Sequence, residues 1–156
     1  PHTIFLTTNG TLVHGDVQKW LIDHKDCVIC GLSLDGTREM HNTNRSNSFD
    51  SIDIDFFAEN YPMQDIKMTI SRETLPTMAE GVMYAHKRGF EESCNLAYGI
   101  DWSDPDNVAI LDRELHKLID FYMYKRRSRD REALPRGALT NVHHSHTCFI
   151  VTMLLH

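Results

Sequence analysis

A chain of 156 residues with 41% hydrophobic and 24% charged side chains has the composition of a single globular domain with room for one core. Its formal net charge of −6 argues against a surface built to neutralise phosphates, so nucleic acid is not an expected partner, although the last fifth of the chain is locally basic. No apolar run reaches the roughly 18 residues of a membrane span. No signal-peptide pattern precedes the cysteines at 27, 30, 94 and 148, so the expectations are no membrane association and a reduced, cytoplasmic setting.

Thr3 to Thr8 is β-branched and aromatic, and Asn9-Gly10 reverses the chain behind it, which predicts a first strand ending near Thr8. A strand this close to Pro1 is what a chain that opens inside a larger architecture would show. A helix follows, with Asp16 as its cap and Val17, Trp20, Leu21 and His24 as a core-facing stripe that assigns Trp20 to the core. The run from Cys27 to Leu34 predicts a second strand buried on both faces.

The polar stretch Thr37 to Ser48 reads as a connection longer than the usual few residues, and long loops of this kind tend to carry function. A helix starting at Ser48 or Asp50 and stopped by Tyr61-Pro62 comes next, then a third strand, Ile66 to Ser71. Pro76 opens a third helix with Leu75, Met78, Ala79, Val82 and Ala85 on its inner stripe, and Gly89 ends it. Glu91 to Gly99 predicts a fourth strand, and Asp104-Pro105 opens the longest helix, with Val108, Leu111, Leu115, Leu118 and Tyr122 on one side.

Alternating strands and helices imply an α/β fold of parallel strands joined by right-handed crossovers, in about four βα units. Four units cannot close a barrel, and the pattern alone does not separate part of a barrel from a small open sheet. Near residue 125 the character changes. Residues 126–156 form a basic and then His-rich tail without periodicity, distinct from the body at 1–125. Cys148 with His143, His144 and His146 matches no tetrahedral metal spacing, so no metal site is assigned there.

In a parallel α/β sheet the carboxyl ends of the strands face the ligand. That end collects Thr8-Asn9-Gly10, Ser33-Leu34-Asp35-Gly36, Thr69 and Ser71, and Asn95 through Trp102, a polar and small-residue face in all four places. Asp101 and Trp102 either face that cavity or simply lead into the long helix.

Thr8-Asn-Gly-Thr-Leu12, then Gly31-Leu-Ser-Leu-Asp-Gly36 with His41 and Arg45 after it, resembles the radical S-adenosylmethionine enzymes of the SPASM group, which include anaerobic sulfatase-maturating enzymes and peptide maturases. Lys67-Met-Thr-Ile-Ser71 and the Gly89-Phe90 helix ending are similar as well, so the likeness covers residues 3 to 124. It implies part of a TIM-like (β/α)6 barrel, S-adenosylmethionine as cofactor, and a [4Fe-4S] cluster in the complete protein. It also implies that a 5'-deoxyadenosyl radical is generated there to modify a protein or peptide substrate.

By this resemblance Ser33 and Arg45 contact S-adenosylmethionine, with Asn9 either a turn residue or facing the cofactor. Asp35 completes the motif and is assigned to shaping the turn through side-chain to backbone hydrogen bonds. The chain departs from the family in having no CxxxCxxC loop and no GGEP-type element. The cluster ligands are therefore expected in a missing N-terminal part of the barrel, and a truncated chain ending in misframed sequence would account for both ends.

Cys27 and Cys30 do not replace the cluster loop, because residues three apart on a strand point to opposite faces. They read as core thiols, as does Cys94. On this reading the chain alone is inactive. The alternative is a non-catalytic α/β binding or interaction module, whose exposed sheet edge would favour association.

Overall fold

A computed structural model describes residues 2–61 and 65–132. The β-branched runs and helical stripes fold in the order β1 (Ile4–Thr8), α1 (Asp16–Asp23), β2 (Val28–Leu32), α2 (Arg38–Asn44), α3 (Ile54–Asn60), β3 (Asp65–Ile70), α4 (Met78–Lys87), β4 (Glu91–Leu96) and α5 (Pro105–Glu132). The chain divides into two compact units, Pro1–Ile119 and Asp120–His156, with the division inside α5. The join read from sequence at 125/126 also falls within this helix, and residues 133–156 of the tail lie outside the described residues.

All described strands pair in parallel. β1 runs beside β2 from Ile4 opposite Val28 to Thr8 opposite Leu32, and β3 beside β4 from Asp65 opposite Glu91 to Ile70 opposite Leu96. A parallel bridge between Ser33 and Lys67 ties the two pairs, and the Leu34 N–H donates to the Lys67 carbonyl at 3.1 Å. The spatial order β1-β2-β3-β4 therefore follows the chain. Because each crossover steps in the same direction, and such crossovers share one hand, the connecting helices return over the same face of the sheet.

Burial agrees with that derivation. Val28, Cys30, Leu32 and Leu34 are buried along and just beyond β2, as are Ile66, Met68 and Ile70 along β3. The alternate residues Ile29, Gly31, Ser33, Asp65, Lys67 and Thr69 are half-buried or exposed. Among the described residues one face is thus packed beneath helices and the other carries no helix and is only partly buried, whereas a parallel sheet usually has both faces covered. The expectation that β2 is buried on both faces is corrected accordingly. The class is α/β, built from parallel strand pairs and helices, with no closed barrel among the described residues.

The covered face is the core. α3 contributes Ile54, Phe56 and Phe57, and α4 contributes Met78, Ala79, Val82 and Ala85, all buried, as are Leu32, Leu34, Met68 and Ile70 of the strands and the residues just after them. Each large apolar side chain so buried stabilises the fold by about 1.5–3 kcal/mol relative to exposure. Tyr61 closes the layer by donating its hydroxyl to the Leu21 carbonyl at 3.0 Å, tying the end of α3 to α1.

Four expectations change. The stretch Thr37 to Ser48 is not an irregular loop: it contains α2, capped by the Thr37 hydroxyl, which accepts the Met40 N–H. The expected helix start at Ser48 or Asp50 is a 3₁₀ turn, Phe49–Ser51, and the true cap is Asp53, whose carboxylate accepts the Phe56 N–H at 3.1 Å. Trp20 is not core. It is 46% exposed and stacks on His24, because the short α1 buries only Leu21. Along the part of α5 whose side chains are described, up to Tyr124, the buried positions are Asn107, Glu114 and Leu118, while Val108 is 49% exposed. Of the apolar stripe read from sequence, Leu118 is buried, Leu111, Leu115 and Tyr122 are half-buried and Val108 is exposed, so the packed face overlaps the stripe and also takes in the polar residues Asn107 and Glu114.

Candidate functional site

The strand pairing sets the residues of the uncovered face in rows. Extending the β1–β2 register by one residue puts Asn9 beside Ser33; Ser33 bridges to Lys67, and Lys67 pairs with Ser93. Asn9, Ser33, Lys67 and Ser93 therefore form one polar row across the sheet. The row beyond it, toward the carboxyl ends, holds Asp35, Thr69 and Asn95, and the row below holds Thr7, Gly31, Asp65 and Glu91. Three of the four residues expected at the site lie in the first two rows on this end of the sheet.

Ser33 is half-exposed on that face, and its N–H donates to the Thr8 carbonyl at 2.8 Å. Asn9 serves as a turn residue: its side-chain oxygen accepts both the N–H and the hydroxyl of Thr11, at 3.2 and 3.0 Å. Thr8 does the same for Gly10, whose φ of +78° suits glycine.

Asp35 is fully buried and saturated. Its carboxylate accepts Nε and Nη2 of Arg45, at 2.8 and 3.0 Å, and the Thr69 N–H at 2.8 Å. The sequence assigned this side chain to its own turn; its backbone bond instead goes to the neighbouring strand, at Thr69. Asn44 adds a second such bond, donating to the Thr69 carbonyl at 2.8 Å. Where β2 has ended, side chains thus continue its pairing with β3.

His41 and Arg45, four residues apart on α2 and its C-cap, grip the backbone and the side chain of Asp35. The Asp35 N–H donates to Nδ1 of His41 at 3.2 Å, which leaves the Nε2 proton to reach the Ser48 hydroxyl at 3.1 Å. Burial holds the His41 pKa below its ordinary value of 6.5; the nearby Asp35 charge opposes that shift and Arg45 adds to it. The ring is therefore neutral around pH 7.

The Asp35–Arg45 pair decides what Arg45 can do. Its guanidinium is 27% exposed and its partner 1%. Pulling it away would strand a buried carboxylate, at a cost of about 3–5 kcal/mol. A charge-assisted hydrogen bond to a ligand returns about 1.5–3 kcal/mol, so Arg45 stays on Asp35 and offers a ligand only its outer Nη1 edge.

Among the described residues, Cys27, Cys30 and Cys94 do not come together as a ligand set. Cys30 lies buried on the covered face, Cys27 is half-buried ahead of β2, and the Cys94 thiol points at the Met68 sulfur, 3.7 Å away. Burial raises the Cys30 pKa; it pushes Cys94 up to about 12, with the charges of Glu92 and Asp35 adding to the shift. Both are thiols near neutral pH, whereas a cluster binds thiolates. No group of three His, Cys, Asp or Glu side chains suited to a metal ion occurs among the described residues.

Asp101 and Trp102 brace the loop into α5. Trp102 Nε1 donates to the Ala97 carbonyl at 2.9 Å, and one Asp101 carboxylate oxygen accepts from the N–H and hydroxyl of Ser103. The sequence reading passed over Asn44 and assigned no role to Lys67. Lys67 carried a signal in its position, two residues before Thr69 on the same face of a strand. Asn44 carried none, because its role depends on α2.

No protein-family model, curated protein or solved structure matches the chain. The likeness to radical S-adenosylmethionine enzymes therefore rests on the motif residues of the sequence alone. Ser33 lies in the polar row beside Lys67. Arg45 is committed to Asp35.

Proposed function

We propose that this chain is the S-adenosylmethionine-binding portion of a radical S-adenosylmethionine enzyme core, acting on a protein or peptide substrate once the rest of the protein is present. One observation carries the reading: Asn9, Ser33, Lys67 and Ser93 line up as a polar row on the uncovered face, near the ligand-facing ends of a sheet wound in a single direction. The uncovered face and the strand order suit a segment of a partial (β/α)6 barrel, whose inner face is supplied by alternate strand residues. The cluster and the radical chemistry it supports belong to the complete protein.

The test is S-adenosylmethionine binding to the full 156-residue chain by equilibrium dialysis. Ser33→Ala should weaken binding about fivefold or more, the loss of one hydroxyl hydrogen bond. Equal retention of ATP or adenosine, with no preference for S-adenosylmethionine, would count against the reading.

A second reading, a non-catalytic binding or interaction module, is favoured by β1. Ile4, Phe5 and Leu6 are 51%, 74% and 40% exposed on a strand hydrogen-bonded to β2. An open strand edge of this kind is a template for another chain.

A further inference from the structure

The row on the uncovered face contains one cation, Lys67. Its side chain is 46% exposed, with Nζ 3.8 Å from an Asp65 carboxylate oxygen, beyond hydrogen-bonding distance. Ser33 flanks it on one side through the β2–β3 bridge and Ser93 on the other through the β3–β4 pairing. Gly31, in the row below, adds no side chain to the surface beside it. A Cβ there would meet only ordinary contacts, from the Asp65 carbonyl at 3.5 Å and the Leu6 carbonyl at 3.7 Å.

A lysine between two hydroxyls is chemically matched to a carboxylate, which accepts a charge-assisted bond from the ammonium and neutral bonds from the serines. Asp65 and Glu91, opposite one another one row below, complete a pattern of cation above and anions beneath. This is complementary to the carboxylate and ammonium of an amino-acid head group. The resemblance would place a ligand carboxylate on Arg45, but that guanidinium is closed on the buried Asp35.

We infer that Lys67, with Ser33 and Ser93 beside it, receives the carboxylate of an amino-acid-bearing ligand on the uncovered face, while Arg45 is a positioning residue that holds Asp35. The assignment rests on the reading of the chain as an S-adenosylmethionine-binding segment and gives that site its polarity. The probes are S-adenosylmethionine and its decarboxylated analogue, dialysed against the full chain and the variants Lys67→Met, Lys67→Arg and Arg45→Lys, with thermal melts recorded for each.

Lys67→Met should bind S-adenosylmethionine about tenfold more weakly, with its melt unchanged, and bind the decarboxylated analogue as the parent chain does. Lys67→Arg should restore most of the affinity. Arg45→Lys should lower the melting temperature, and it should weaken both ligands alike. Unchanged binding by Lys67→Met, or an equal loss for both ligands, overturns the assignment while leaving the proposed function standing. No binding by the folded parent chain overturns the proposed function and the assignment with it.

Discussion

His41 is the residue on which local structure and pH meet. The Asp35 N–H occupies Nδ1 as a donor, so a proton arriving there breaks that bond and places a charge in a buried site. The folded-state pKa lies below the unfolded value, so the unfolded chain takes up the proton first as pH falls. The stabilising effect of neutral His41 is complete above the unfolded pKa near 6.5 and is lost progressively as pH drops toward the folded value. Urea unfolding at pH 7.5 and 5.5 should show lower stability at the acid end. His41→Gln should reduce that slope, and an unchanged slope would remove His41 as its source. Part of this cluster was legible in the sequence, because Asp35, His41 and Arg45 stood together in one motif. The pairing of Arg45 with Asp35 was not, since that depends on α2 folding across the strand end. Gly36 shows the same limit: it reads as a turn glycine, with φ of +72°, but it also has to be small. A Cβ there would lie 2.7 Å from the Gly81 Cα, so the loop passes directly against α4.

At the scale of elements, legibility followed apolar periodicity. β1, β2, β3 and α4 are written in apolar, partly β-branched runs and a regular stripe, and their positions agree closely with the sequence reading, whereas β4, Glu-Glu-Ser-Cys-Asn-Leu, has no such run. α2 is written in Arg, Glu, Asn and Thr, with only Met40 and His41 facing inward, and so reads as loop. α5 misleads in the opposite sense, because its inward face includes a charge. Glu114 is fully buried, and its Oε2 accepts the Ala79 N–H at 3.2 Å, near the start of α4, where Thr77 supplies no side-chain cap. Its other oxygen accepts Lys117 Nζ at 2.6 Å. An anion placed at a helix N-terminus satisfies an otherwise unbonded donor and interacts favourably with the dipole. Glu114→Gln should cost about 1 kcal/mol and Glu114→Ala about 2–3 kcal/mol, the second adding an unsatisfied buried N–H and a void. Chemical denaturation checks the order. Equal stability of Glu114→Ala and the parent chain would show that α4 does not depend on this carboxylate.

At the scale of the molecule, the sheet is unequal at its two sides. Helices cover one face, the other presents polar side chains toward the carboxyl ends with Phe5 and Ile29 at its amino end, and β1 is an apolar strand exposed at Ile4, Phe5 and Leu6. A strand beside β1 would bury those side chains and pair its free backbone groups, so this edge is the part of the molecule most disposed to associate. The two functional readings diverge here. If the uncovered face is a ligand site and the edge merely unpaired, association is incidental, and blocking it leaves ligand binding intact. If the chain is an interaction module, the edge is the function. Phe5→Lys sets a charge on the most exposed apolar residue of β1 without touching the Ser33 and Lys67 row. Sedimentation velocity should show the parent chain associating as concentration rises and Phe5→Lys shifting toward monomer, with S-adenosylmethionine binding unchanged. A parent chain that stays monomeric at high concentration would count against association through this edge. Loss of ligand binding together with association in Phe5→Lys would mean that the ligand face is completed across β1.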